Sequence, residues 1–168
     1  MQDVLGQALS LLKAHRAWAG PALGVGACVE ALVVIGAFTP LTPVLVMVGA
    51  GIGAGVFSPW VLVWTMGGCG LGNWLSYEAG LRARSAGACP AGIPDAARIK
   101  ADTLFNRYGA MAVVIGRFLG PTASIVPFLA GWAAMPRRAF FIANLATSLV
   151  WPVTMAALGY IGARSFAT

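Results

Sequence analysis

Two ionisable side chains, Glu30 and Arg117, stand inside stretches otherwise made of apolar residues, glycine and proline. Arg117 lies in "IGRFLGPTASIVPFLAG" (Ile115–Gly131) and Glu30 in the apolar run that leads to "TPLTP" (Thr39–Pro43). An arginine offers five donors in a planar fork that matches phosphate or carboxylate oxygens, and it stays charged. A carboxylate in an apolar setting can pair with it, or take up and release a proton. Two readings follow: a structural ion pair, or a polar cavity in which Arg117 meets an anionic head group and Glu30 pairs with it or couples a proton. Thr42, Asn73, Thr122, Ser124, Asn144 and Thr147 add uncharged polar groups at the same levels, although Ser and Thr in apolar helices most often bond a carbonyl of their own helix.

Other chemistries are poorly supplied. Cys28, Cys69 and Cys89 form no CxxC pair, and His15 is the lone histidine, so neither a metal site nor a nucleophile–base pair can be assembled. The expectation is a non-enzyme without metal or cofactor, with the cysteines as free thiols in an apolar phase.

What surrounds these residues is a membrane-type chain. Of its 168 residues 59% are hydrophobic and 10% charged, against about 25% charged in a typical soluble domain. The formal charge of +6 gathers at the ends of apolar segments and in the central linker, which points to topology signals and lipid surfaces rather than nucleic acid.

The elements follow from segment length. Residues 1–18 read as an interfacial amphipathic helix, with Val4, Leu5, Ala8, Leu9 and Leu12 on one face. Residues 19–168 then form a single membrane domain. Gly24–Phe38 would rise about 22 Å, too short for a hydrocarbon core of about 30 Å. Val44–Phe57 is short as well, and Pro40 and Pro43 break the chain between them. Two half-length helices around a proline break read as a re-entrant hairpin, followed by a crossing helix at residues 59–81 to complete a first repeat (21–81). A polar linker (82–109) contains a surface helix, Asp95–Tyr108.

The second repeat (110–163) has the same order: the half-length runs Ala110–Leu119 and Phe128–Met135 around Gly120–Pro121, with Pro127 closing the break, then a crossing helix at Ala139–Ala163 that Pro152 should kink. A hairpin returns to its own side and one span crosses once, so the halves should be inverted. The fold class expected is thus all-α integral membrane. Inverted repeats with broken helices meeting at mid-depth are the plan of many secondary transporters. Seven basic residues would share one side (Arg82, Arg84, Arg98, Lys100, Arg107, Arg137, Arg138) and three the other (Lys13, Arg16, Arg164), which places linker 82–109 in the cytoplasm. The spacings Gly51/Gly55, Gly68/Gly72 and Gly116/Gly120 are assigned to internal helix packing before a dimer interface, with a homo-oligomer left open.

The segment "RYGAMAVVIGRFLGPTASIVPFLAGWAAMPRRAFFIANLATSLVW" carries an aromatic-Gly start, G-R-F, a Pro/Gly break, V-P, A-G, a Met and a Phe. It resembles the DedA family of small membrane proteins, also known as the SNARE-associated or VTT domain. "VEALVVIGAFTPLTPVLVMVGAGIGAG" and "GCGLGNWLSYEAGLRARSAG" resemble the family's first hairpin and its glycine-rich helix ending in Tyr-x-x-Gly, and the likeness covers nearly all of residues 24–163.

The resemblance implies two re-entrant hairpins and movement of an anionic lipid between leaflets of a bacterial-type inner membrane. The lipid class it implies is a polyprenyl phosphate such as undecaprenyl phosphate, with dependence on the proton gradient. Glu30 and Arg117 match the family's hairpin Glu and G-R-F arginine. The head-group site would gather Arg117, Glu30, Thr42, Pro40, Pro43, Gly120, Pro121, Thr122, Ser124 and Asn73. Three positions depart from the family pattern: Thr42 replaces an acid, Ala123 a second arginine and Asn73 an aspartate. Passive phospholipid scrambling, secondary transport of a small ion or solute, and scaffolding are the other readings.

Overall fold

The computed structural model describes residues 16–32, 41–87, 95–117 and 123–165, and among them the regular structure is helical. Seven helices follow one another: α1 (Arg16–Glu30), α2 (Leu41–Gly53), α3 (Val61–Ser85), α4 (Asp95–Tyr108), α5 (Ala110–Arg117), α6 (Val126–Trp132) and α7 (Arg137–Ser165). At 1.5 Å per residue, α3 and α7 are about 37 and 43 Å long, whereas α1, α2, α5 and α6 run from about 10 to 22 Å. Among the described residues, α7 is the helix both long and apolar enough to cross a membrane on length and composition alone.

Several boundaries differ from the sequence expectation. The first leg is Arg16–Glu30 rather than Gly24–Phe38, and it runs across the expected boundary at residue 18 and through Pro21. It stops as Ala31 N–H bonds Ala27 O and Leu32 N–H tightens back to Val29 O, leaving Glu30 at a helix end rather than inside a run. The segment expected to form the interfacial helix lies mostly outside the described residues.

In α2 the chain is already helical at Leu41, so Thr42 and Pro43 occupy the first turn. Proline is tolerated there because its missing N–H would have had no intrahelical partner. The same reason places Pro127 in the first turn of α6, which starts before the expected Phe128 and ends at Trp132. Arg82 and Arg84 belong to the last turn of α3, where cations complement the helix dipole. That helix ends at Ser85, and Gly87 just beyond it has a φ of 64° that suits a residue without Cβ. Helix α4 has the expected bounds. Helix α7 continues unbroken past Pro152.

The directions of the helices follow from their contacts. Gly20 and Gly24 meet Trp64, while Cys28 and Ala31 meet Gly72, so α1 and α3 run parallel. Gly49 faces Ala156 and Gly53 faces Tyr160, so α2 and α7 also run parallel. Tyr77 stacks on Phe140, whereas Asn73 bonds Ser148, so α3 and α7 run antiparallel. The short helix α2 thus packs on the long helix of the second half, and α6 packs reciprocally on α3.

These crossings are set by glycine. A Cβ at Gly68 would overlap the Gly24 carbonyl, one at Gly159 the Val46 carbonyl, and one at Gly131 the Tyr77 carbonyl. Backbones come this close only where no side chain intervenes, the small-residue packing of membrane helices. Of the expected small-residue pairs, Gly68/Gly72 serves internal packing, and Gly116 meets the Val126 side chain. Gly55 instead forms a turn with φ 72° and has nothing near its Cβ position.

The α6–α7 turn is tied to α3 by three side chains. Tyr77 OH donates to Met135 O, Arg84 Nη1 donates to Trp132 O at 2.6 Å, and Arg137 forks onto Glu78 at 3.0 and 3.2 Å. Tyr77 and Phe140 are fully buried in the same region, packed with Val113 and Ala130.

Gly159→Leu should therefore lower the melting temperature of the purified protein markedly, since overpacking costs about 1–3 kcal/mol or more. Gly162→Ala, with no atom within 4 Å of its Cβ position, should leave it unchanged or raised. Equal melting of the two variants would contradict the packing described.

Candidate functional site

The polar residues of α3 occupy one face. Cys69, Asn73 and Ser76 stand at i, i+4 and i+7 and are buried, with Asn73 the middle residue of the helix. Three other helices converge on this stretch. Helix α1 ends beside it, where Ser76 Oγ donates to Ala31 O at 2.8 Å and satisfies a carbonyl at the helix terminus. Helix α5 ends in Arg117. Helix α7 supplies Asn144 and Ser148, one turn apart.

The Arg117 guanidinium donates through Nη2 to Cys69 Sγ at 2.7 Å and through Nη1 to Asn73 Oδ1 at 3.4 Å. The Asn73 amide nitrogen donates in turn to Asn144 Oδ1 at 2.9 Å, and Ser148 Oγ donates to the same oxygen at 3.1 Å. Asn144 Nδ2 reaches the Gly70 carbonyl at 2.9 Å. A chain of neutral hydrogen bonds thus links α7 through α3 to the half-buried cation on α5. The amide orientation is consistent along this chain, because Asn73 turns its oxygen toward the only cation in it and its nitrogen toward the Asn144 oxygen.

The described partners of this cation are neutral groups, a thiol and an amide. Arg117 closes its helix at the C-terminal end, where the dipole favours positive charge. Glu30 also closes a helix, half-buried, at the end that disfavours negative charge. Both first legs end level with residues 69–76 of α3, so Glu30 and Arg117 are brought to one depth from opposite halves of the sequence.

The other expected site residues fall into four groups. Asn73 is in the network. Ser124 is buried and its hydroxyl finds no hydrogen-bond partner among the described residues; a buried hydroxyl of this kind suits a group that binds something. Thr42 and Pro43 are exposed on the first turn of α2. Pro40, Gly120, Pro121 and Thr122 lie outside the described residues.

Thr147 bonds Ala143 O within its own helix, as hydroxyls in apolar helices commonly do. Cys69 is a free, buried thiol as expected, and its contact with Arg117 is a further role that the sequence did not show. Ser148 was also missed. The signal available for both was position, four residues from Asn73 and from Asn144 respectively. Among the described residues no cluster of His, Cys, Asp or Glu could hold a metal ion.

If the network is a unit, the Asn73→Ala/Asn144→Ala double-mutant cycle should give a stability coupling of about 0.6–1.7 kcal/mol, the span for hydrogen bonds between membrane helices. Additive effects would show that the two amides act independently.

A family model described as the VTT domain matches residues 39–161. Among curated proteins the chain is similar to the inner membrane protein YghB of Escherichia coli K12, 31% identical over 128 residues that make up 73% of this chain and 58% of that protein. It is also similar to the inner membrane proteins YabI and YqjA of the same strain, 30% and 29% identical over 129 residues each, covering 75% and 74% of this chain. The chain spans only 51–59% of the length of these relatives. No solved structure matches it.

Proposed function

The chain belongs to the VTT-domain, or DedA, family of membrane proteins, and we propose that it moves an anionic lipid of the polyprenyl phosphate class between membrane leaflets. The observation that carries this reading is Arg117. A charge at bilayer depth costs from about 2.5 kcal/mol to above 10, and here the described partners of the guanidinium are a thiol and an amide. Neither neutralises it. A phosphate would, through paired charge-assisted hydrogen bonds.

In this mechanism Arg117 receives the head group, with Asn73 and Cys69 holding the guanidinium fork toward it. Glu30, at the same depth on α1, competes for the cation or carries a proton as the lipid enters and leaves. Ser124, whose buried hydroxyl has no partner among the described residues, adds a donor. The breaks at Thr39–Pro43 and Gly120–Thr122 supply free backbone groups.

The short first and second legs, α1 with α2 and α5 with α6, are too short to span singly and support two re-entrant hairpins. The packing of α2 on α7 and of α6 on α3 supports an inverted repeat whose halves rock about the site. The relatives' names as inner membrane proteins support an inner-membrane location for this chain as well, multi-pass and with residues 82–109 on the cytoplasmic side. Passive scrambling of phospholipids is the second reading, favoured by the uncharged Thr42 and Asn73, which leave few groups to couple a proton.

The test is leaflet exchange in liposomes, with a fluorescent polyprenyl phosphate beside a neutral phospholipid. The wild type should move the phosphate lipid and not the neutral one, and Arg117→Ala should reduce movement at least tenfold while the protein still folds. Glu30→Gln should remove any response to an imposed pH gradient. Equal movement of both lipids would establish scrambling, and full activity of Arg117→Ala would remove it from the site.

A further inference from the structure

The turn from α6 to α7 holds a residue in a conformation that its own side chain disfavours. Among the described residues Gly55, Gly87, Gly109 and Ala134 have positive φ, at 72, 64, 52 and 53°. The three glycines take up that region at no steric cost, whereas the Cβ of Ala134 is strained there. Ala134 is exposed, so packing gives no reason for its methyl. Its N–H bonds Gly131 O at 2.9 Å and the Met135 N–H bonds Ala130 O at 3.0 Å. These are the paired bonds of a Schellman ending, whose left-handed position is usually glycine. By local preference Ala133 and Ala134 would continue α6, since alanine is the best helix former, and Pro136 would stop it. The apolar run in the sequence reaches Met135, yet the helix ends at Trp132.

What overrides that preference is α3. Arg84 holds Trp132 O before the turn at 2.6 Å, Tyr77 holds Met135 O behind it, and Glu78 holds Arg137 at 3.0 and 3.2 Å. Pinned on both sides, residues 133–134 cannot wind on as helix, which would lengthen α6 by about 3 Å. The ties differ in kind. Tyr77 is fully buried, whereas the Arg84 and Arg137 bonds are exposed, and exposed ion pairs stabilise little. A local preference for helix opposed by contacts that are easily broken makes an element with two arrangements.

We propose that the α6–α7 turn is a two-state latch on the hairpin that carries Arg117. With the Arg84 and Glu78 ties made, Ala134 is left-handed and α6 is seated on α3. With them released, α6 winds on through Ala134, whose N–H passes from Gly131 O to Ala130 O, and the hairpin slides along α3 about the Tyr77–Met135 pivot. Gly116 packs against Val126, so α5 moves with α6 and takes Arg117 along. The guanidinium now stands 2.7 Å from Cys69 Sγ and 3.4 Å from Asn73 Oδ1. A slide of about 3 Å, two residues of helical rise, parts it from both. Alanine at 134 keeps the two states close in free energy, because glycine would relieve the strain of the seated one. The latch itself rests on packing, and its link to lipid movement rests on the function proposed above.

The experiment observes the full chain, labelled with carbon-13 alanine, by NMR in lipid nanodiscs. The Cα and Cβ shifts of an alanine separate left-handed from helical backbone, and the resonance lost in Ala134→Gly is that of Ala134. Leaflet exchange of the polyprenyl phosphate in liposomes and melting temperature are followed in parallel. The wild-type Ala134 signal should be left-handed, and Glu78→Gln with Arg84→Gln should raise its helical population about tenfold. Ala134→Gly should raise the melting temperature yet slow leaflet exchange about threefold, a pairing that a merely structural turn would not give. If the double variant does not fold, Arg84→Gln alone carries the same test.

A left-handed Ala134 signal in the folded double variant would show that α3 does not hold the turn, and would overturn the latch. Leaflet exchange unchanged by Ala134→Gly would show that the turn stays seated while lipid moves, and would overturn it too. A shift to helix in the double variant, with no lipid movement by the wild type, would support the two-state turn while contradicting the transport function.

Discussion

The structure depends on one contact set: the Arg117 guanidinium held against Cys69 and Asn73 at the middle of α3. A half-buried charge of this kind is stable only if the surroundings solvate it, because desolvation of an ion is among the largest costs a protein meets. Here the solvation is done by neutral dipoles arranged in series. Asn73 takes a donor from the arginine and gives one to Asn144, which gives one to Gly70. Each member fixes the orientation of the next. The arginine is thereby kept in place without being neutralised by these groups.

That arrangement requires backbones to approach closely, and glycine supplies the approach. Gly24 against Gly68 and Cys28 against Gly72 bring the end of α1 to the polar stretch of α3. Val46 against Gly159 seats α2 on α7, and Gly131 against Tyr77 seats α6 on α3. Helices α2 and α6 are each held by the long helix of the opposite half of the chain, whereas α1 packs on α3 of its own half. Tyr77, Arg84 and Glu78 then fasten the turn before α7 to α3. The two long helices are thus the scaffold, and the short ones carry the charges Glu30 and Arg117 to their middle.

Much of this was legible in the sequence, and the reasons are specific. Arg117 stood out because a charge among apolar residues has few explanations. Helix α7 was legible because Ala139–Ala163, with one proline and no charge, has little else to be, and the structure extends it only to Arg137–Ser165. Asn73 could be named as polar and deep, but its partner lies 71 residues away, a separation that no local pattern encodes. The contact of Cys69 with Arg117 was missed for the same reason, being made by a residue 48 positions later. The end of α1 at Glu30 was missed because the apolar run continues to Phe38 without a breaker. With 22 glycines in the chain, spacing alone could not separate those that seat a neighbouring helix from Gly55, which only turns.

The central claim is that Arg117 is held where it is to receive an anion. It is tested most directly by equilibrium binding of a single-chain alkyl phosphate to the purified protein, beside a zwitterionic surfactant of the same chain length. Arg117→Gln keeps donors in place and removes the charge. The expected result is preference of the wild type for the phosphate, lost by at least tenfold in the variant, or about 1.4 kcal/mol. Equal phosphate affinity in wild type and variant would mean that the arginine serves only the hydrogen-bond network around Asn73.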